Sequence, residues 1–120
     1  MSTAVVNLTA HPVIVLDAAG HALATYPPSG TVARIDERLA APTELATDGG
    51  IVPVREVRYA ARVQALPDPQ PGKVYLVSRV LAAAVKRRDI YFPAGEVRDE
   101  AGAIIGCRYL GQFVAGGDDA

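Results

Sequence analysis

Short apolar runs broken by turn residues dominate the chain, and only one segment repeats its apolar positions at helical spacing. Val5 to Leu8 and Val13 to Leu16 are β-branched runs separated by Thr9-Ala10-His11-Pro12, and both read as strands. Pro12 cannot donate to a ladder, so it begins a strand or sits at an edge. Asp17-Ala18-Ala19-Gly20 is a turn, and Ala22 to Tyr26 returns as the second arm of a hairpin. Pro27-Pro28-Ser29-Gly30 makes a stiff corner. Thr31 to Ile35 alternates and predicts a modest strand. From Asp36 to Gly50 the pattern is lost: Pro42 and Gly49-Gly50 leave either a one-turn helix over Glu37 to Ala41 or a mobile loop. Ile51 to Val54 and Val57 to Val63 read as strands, with Pro53 favouring an edge.

The last third is the most regular. Leu66 to Gly72 holds three prolines and predicts a rigid loop. Lys73 to Val77 is the best buried strand. Ser78 then caps a helix over Arg79 to Arg87, with Val80, Leu81, Ala84 and Val85 on one stripe and Lys86, Arg87 and Arg88 in its last turn. A polar loop from Asp89 to Gly95 leads to a hairpin of Glu96 to Arg98 with Ala103 to Tyr109, around Asp99-Glu100-Ala101-Gly102. The two hairpins share Asp-x-Ala-Gly, which common turn chemistry explains without an internal repeat. Seven to nine short strands and one helix add up to an α+β, mainly β domain. The expected architecture is a curved antiparallel sheet or half-barrel with the short helix packed on it. Residues 1–115 are expected to form a single domain, and 116–120 a frayed tail.

Composition narrows the function classes. Half of the 120 residues are hydrophobic and the formal net charge is −1, which excludes disorder of the body and argues against nucleic-acid binding by bulk positive charge. The single cysteine, Cys107, has no internal partner, which fits a reducing cytosol, and its apolar surroundings predict a buried, inert thiol. The first residues carry no secretory pattern, and no apolar run approaches the ~20 residues of a spanning helix, so a cytoplasmic protein without membrane contact is expected. The high share of small apolar residues suits a homo-oligomer. Ten of the twelve basic residues are arginine, which fits bidentate recognition of phosphate or carboxylate, and equally a GC-rich genome.

Candidate chemistry is sparse. Alternation places Asn7, Thr9 and His11 on one face of a strand, as a polar ligand wall or as side chains bonding local backbone. Ser78, at a strand-to-helix junction, reads as an N-cap beside free backbone N–H groups that would suit an anion. It lacks the glycines of a nucleophile turn. Arg88 and Arg98, oriented by Asp89 and Asp99, form a candidate anion clamp, with Pro93 and Gly95 shaping the loop around it. Ser29, Arg34 and Arg79 complete the candidate contacts, and Tyr75 or Tyr91 would stack a base. Two distant histidines and one cysteine give no metal-ligand spacing, no carboxylate pair is set for acid–base work, and no cofactor is implied.

Several of these residues resemble a group of small proteins from actinobacteria, other bacteria and their phages. The shared features are Asn7-Leu8-Thr9-Ala10-His11-Pro12, Pro28-Ser29-Gly30, Val77-Ser78, Arg88-Asp89 and Val97-Arg98-Asp99-Glu100-Ala101-Gly102, spread over residues 5 to about 110. The resemblance brings no activity, cofactor or site with it. Its phage connection implies a host-takeover or anti-defence setting. Three expectations follow. The first is a non-enzymatic protein, phage- or prophage-related, that binds a small anionic ligand such as a nucleotide or nucleotide-like signal. The second is a protein–protein or structural module with contacts around Ile90-Tyr91-Phe92-Pro93. The third is a small nucleotide- or sugar-processing enzyme with His11 as general base.

Overall fold

The structure is a computed structural model. It describes residues 3–114, with the backbone alone at residues 60–62. The expected frayed tail at 116–120 lies outside the described residues. Ten strands and one helix follow in order: β1 (Ala4–Asn7), β2 (Val13–Leu16), β3 (Ala22–Tyr26), β4 (Arg34–Leu39), β5 (Thr43–Thr47), β6 (Gly50–Val54), β7 (Val57–Gln64), β8 (Lys73–Leu76), α1 (Arg79–Val85), β9 (Ile90–Arg98) and β10 (Ile104–Gly111). The mainly β, α+β class is therefore as expected, with one more strand than the upper count.

Six strands form an open sheet in the order β1-β8-β9-β10-β2-β3. It is mixed rather than wholly antiparallel. β1 runs parallel to β8, β8 to β9, and β10 to β2, while β9–β10 and β2–β3 are antiparallel. The parallel β8–β9 step is possible because α1 carries the chain back between them. The first three strands hold the two outer edges, and the last three fill the middle. The sheet curls enough for its edges to meet at one point, where Asn7 bridges Pro28.

Alternation along β8 decides where the core lies. Tyr75 and Val77 belong to a buried cluster with Leu81 and Ala82 of α1, Ile90, Phe92 and Ala94 of β9, Leu8 and Ala33. Leu76, between them, belongs to a second cluster on the other face with Val13 and Cys107. Side chains on successive strand residues point to opposite faces, so one strand supplies both clusters.

Three local expectations need correction. The helix ends at Val85, not Arg87: Lys86 is left-handed (φ 55°) and its N–H caps the carbonyl of Ala82. The cations at 86–88 therefore lie beyond the last turn. The stretch expected as a polar loop, Asp89 to Gly95, is mostly strand β9. Pro93 fits there for a geometric reason. The carbonyls of Asp89 and Tyr91 accept from Tyr75 and Val77, so alternation turns the Pro93 nitrogen toward the same side. There β8 has already ended at Leu76, and no donor is missed.

The third correction concerns residues 36–50, expected as loop or one-turn helix. They extend a long β-ribbon. β4 pairs with β7, and beyond a break β5 pairs with β6. Every residue of β5 and β6 is exposed. Only the root is anchored, where Ile35 and Val63 pack against the first core cluster. The ribbon projects as an arm. The Cα radius of gyration is 17.6 Å, well above the ~13.6 Å of a compact chain this long.

Candidate functional site

The carboxyl ends of the parallel strands β1 and β8 release two segments side by side, Leu8 to Pro12 and Val77 to Arg79. Between these segments, β2, and the far ends of β9 and β10 lies a groove of about 360 Å³. Its floor is apolar, with Val13, Ile14, Val77, Ile105 and Cys107, and its polar rim carries Thr9, His11, Ser78, Arg79 and Glu96. A second cavity of about 350 Å³ adjoins it and shares Thr9 and Ser78. It adds Arg34 from the root of the arm, with Val32 and Tyr59. Thr9 and Ser78 thus form a low ridge, with Arg79 in one lobe and Arg34 in the other.

Each rim residue is held by a local cause. Asn7 is buried, and its side chain braces the turn that presents Thr9 and His11. Its Nδ2 donates to the carbonyls of His11 (2.8 Å) and Tyr26 (2.9 Å), and its Oδ1 accepts from the Thr9 N–H (2.9 Å) and Oγ1 (2.6 Å). The backbone carbonyl of Asn7 accepts from Ser29, which docks the Pro28-Ser29 corner on the same knot. Ser78 caps α1, its Oγ accepting from the Leu81 N–H at 3.3 Å. Arg79 lies over the rings of Phe92 (5.0 Å) and Phe113 (5.4 Å), which stack on each other at 4.8 Å. The guanidinium is fixed by cation–π attraction and meets no carboxylate among the described residues. Its donors remain available to a ligand.

The groove brings together four of the residues singled out in the sequence, Thr9, His11, Ser78 and Arg79, and its neighbour adds Arg34. The others go elsewhere. Asn7 is a brace, not a contact, because all its hydrogen-bonding capacity is used inside the protein. Ser29 bonds its own turn at Thr31. The clamp of Arg88 and Arg98 does not exist. Arg98 is the last residue of extended β9, and the eight residues before it in that strand separate it from Arg88 by on the order of 30 Å. Asp89 instead holds Arg87 in a bidentate pair (2.9 and 2.6 Å), and this hydrogen bond raises the Arg87 pKa further. Asp99 accepts from the N–H groups of Ala101 and Ala103, closing its turn, and Arg98 caps the same turn at the Gly102 carbonyl. Tyr75 is 2% exposed and has no free face for a base. Tyr91 is half-buried against the second cluster.

Two contributors were not visible in the sequence as site residues. Phe92 and Phe113 position Arg79 from 13 and 34 residues away, a separation no local pattern signals. The Ile104-Ile105 pair lines the groove from the exposed side of β10. Cys107 reaches the floor but is 3% exposed, and burial pushes its thiol pKa up, so it stays neutral and unreactive there. Among the described residues, no group of three or more His, Cys, Asp and Glu side chains could hold a metal ion. Among the described residues, no helix is long and apolar enough to cross a membrane. Comparison with protein-family models, curated proteins and solved structures finds no match to this chain.

Proposed function

We propose that the protein binds, without transforming, a small ligand that has an apolar or aromatic body and an anionic group. The body would lie on the Val13, Ile14 and Ile105 floor, and the anion would meet Arg79, with His11 and Thr9 beside it. One observation carries the reading: Arg79 is pinned on two stacked rings, free of any carboxylate, at the lip of an apolar groove. A groove of this size with few convergent polar groups matches small-molecule sites in general. Arg34 across the Thr9–Ser78 ridge would suit a second anionic group, as in a nucleotide or nucleotide-like signal. Sequestration of such a signal needs no acid, base or nucleophile.

The test is a thermal-shift screen against nucleotides, cyclic nucleotides and ADP-ribose derivatives. A ligand at a hundred times its dissociation constant adds about 2.7 kcal/mol. For a domain of this size the midpoint should rise by about ten degrees. The shift should vanish in Arg79→Gln and persist in Arg98→Ala, which lies outside the groove. A panel without any shift, or a shift that ignores Arg79, sinks the reading. The second reading, a protein-interaction module that assembles with itself, is favoured by a different observation: the arm's apolar side chains lie open to solvent.

A further inference from the structure

The arm is a structure that its own chain does not complete. Two-stranded ribbons are marginally stable in water, and both ribbon segments leave both edges unpaired. Of the thirteen large hydrophobic residues that are exposed among those described, seven lie on the arm: Leu39, Leu45, Ile51, Val52, Val54, Val57 and Tyr59. Leu45 is 53% and Ile51 68% exposed. Alternation sorts them into patches: Leu39 faces Val57 at the outer end of the base segment, next to the break, and Leu45 faces Val52 near the tip. Isolated exposed hydrophobics are ordinary, but paired patches along a projecting ribbon mark an interaction surface.

Charge identifies the occupant. Close to the outer end of the base segment, Arg38 stands directly opposite Arg58. Like charges in register destabilise a ribbon, and neither guanidinium has an ion-pair partner among the described residues. Glu37 points to the opposite face, and Asp36 sits at the bulge, where Gln64 donates to it. The tip has the reverse character. Between residues 40 and 54 the charged side chains are Glu44 and Asp48, both acidic and both exposed. The arm thus carries an arginine pair just inside the break, one charge of each sign at the break itself (Arg55, whose Nε donates to the Ala40 carbonyl, and Glu56), and acid alone beyond it in β5, the turn and β6. Arg38 and Glu44 lie six residues apart along the arm, on the order of 20 Å, too far to pair within one molecule. They come together when a second arm lies alongside and points the other way.

We propose that the arm docks on the arm of a second copy of this chain, antiparallel, about a two-fold axis near the break between its two ribbon segments. The two arms meet edge to edge, so that on one face the acidic side chains of one copy come beside Arg38 and Arg58 of the other, and on the opposite face the apolar patches of both copies join into one surface. Such an isologous contact closes on itself and gives a dimer rather than a filament.

Sedimentation velocity over a micromolar to millimolar series tests this. The wild-type chain should run as a dimer. Arg38→Glu with Arg58→Glu should leave a monomer, and so should Glu44→Arg with Asp48→Arg. Combining all four restores opposite charges between tip and base and should restore the dimer. Thermal unfolding of each variant checks that the core is intact. A wild-type chain that stays monomeric across the series overturns the proposal and points to a different protein as the partner of the arm. A dimer indifferent to either reversal, or a fourfold variant that stays monomeric, overturns the antiparallel pairing.

Discussion

Asn7 shows how little a single polar residue says about its role until its partners are known. Its type, and its alternation with Thr9 and His11, suit a ligand wall. The structure uses it as a joint between β1, the following turn and the end of β3. Both of its amide protons and both lone pairs are engaged, the protons by the carbonyls of His11 and Tyr26. Asn7→Ala should therefore cost about 3 kcal/mol in urea-unfolding free energy, since each buried group left without a partner costs ~1–3 kcal/mol. Asn7→Asp should be nearly as damaging, because a carboxylate cannot donate to the carbonyls of His11 and Tyr26. A loss under about 1 kcal/mol for either variant would mean that water replaces the side chain and the joint is looser than described. The role was hidden because Tyr26 is 19 residues from Asn7. The Asp17 and Asp99 turns were legible for the opposite reason: each aspartate bonds N–H groups within four residues.

At the level of elements, the same contrast separates what was read from what was missed. β2 and β3 were placed residue for residue, because alternation and an Asp-to-Gly turn are local signals. The parallel pairings were not, because β1 finds β8 and β2 finds β10 across most of the chain. β6 was read as a strand over Ile51 to Val54, but its partner β5 was missed for a physical reason: it has no buried face, so it shows no period-two hydrophobicity, and Pro42 and Gly49-Gly50 suggest loop. The contact between β2 and β10 is unusually close. A Cβ added at Gly106 would lie 2.8 Å from the Ile14 carbonyl, a backbone atom that no rotamer change can move. Gly106→Ala should destabilise the protein by about 1–3 kcal/mol. It should also quicken amide exchange along β2 and β10 more than in α1. Uniform exchange, or unchanged stability, would show that the two strands can slide apart without penalty.

For the whole molecule, the division between body and arm makes a prediction. The Ala40 N–H donates to the Glu56 carbonyl, so replacing residues 41–55 by Asn-Gly closes a two-residue hairpin of the favoured type on that hydrogen-bonded pair. Every β5 and β6 residue removed is exposed, so unfolding of the dilute, monomeric protein should change by less than about 1 kcal/mol. A collapse in stability would mean that the tip folds back on the body. The strand order has a consequence for the making of the protein. Strands β1 to β3 leave the ribosome first, yet they line the two edges of a sheet whose middle is β8, β9 and β10. Val15 waits for Cys107, and Ala4 for Lys73. Meanwhile the arm, whose strands pair with near neighbours, can close early. The nascent chain therefore carries its apolar first strands unprotected until β8 to β10 have emerged, so a chaperone that shields short β-branched segments would find its client there rather than in the finished fold.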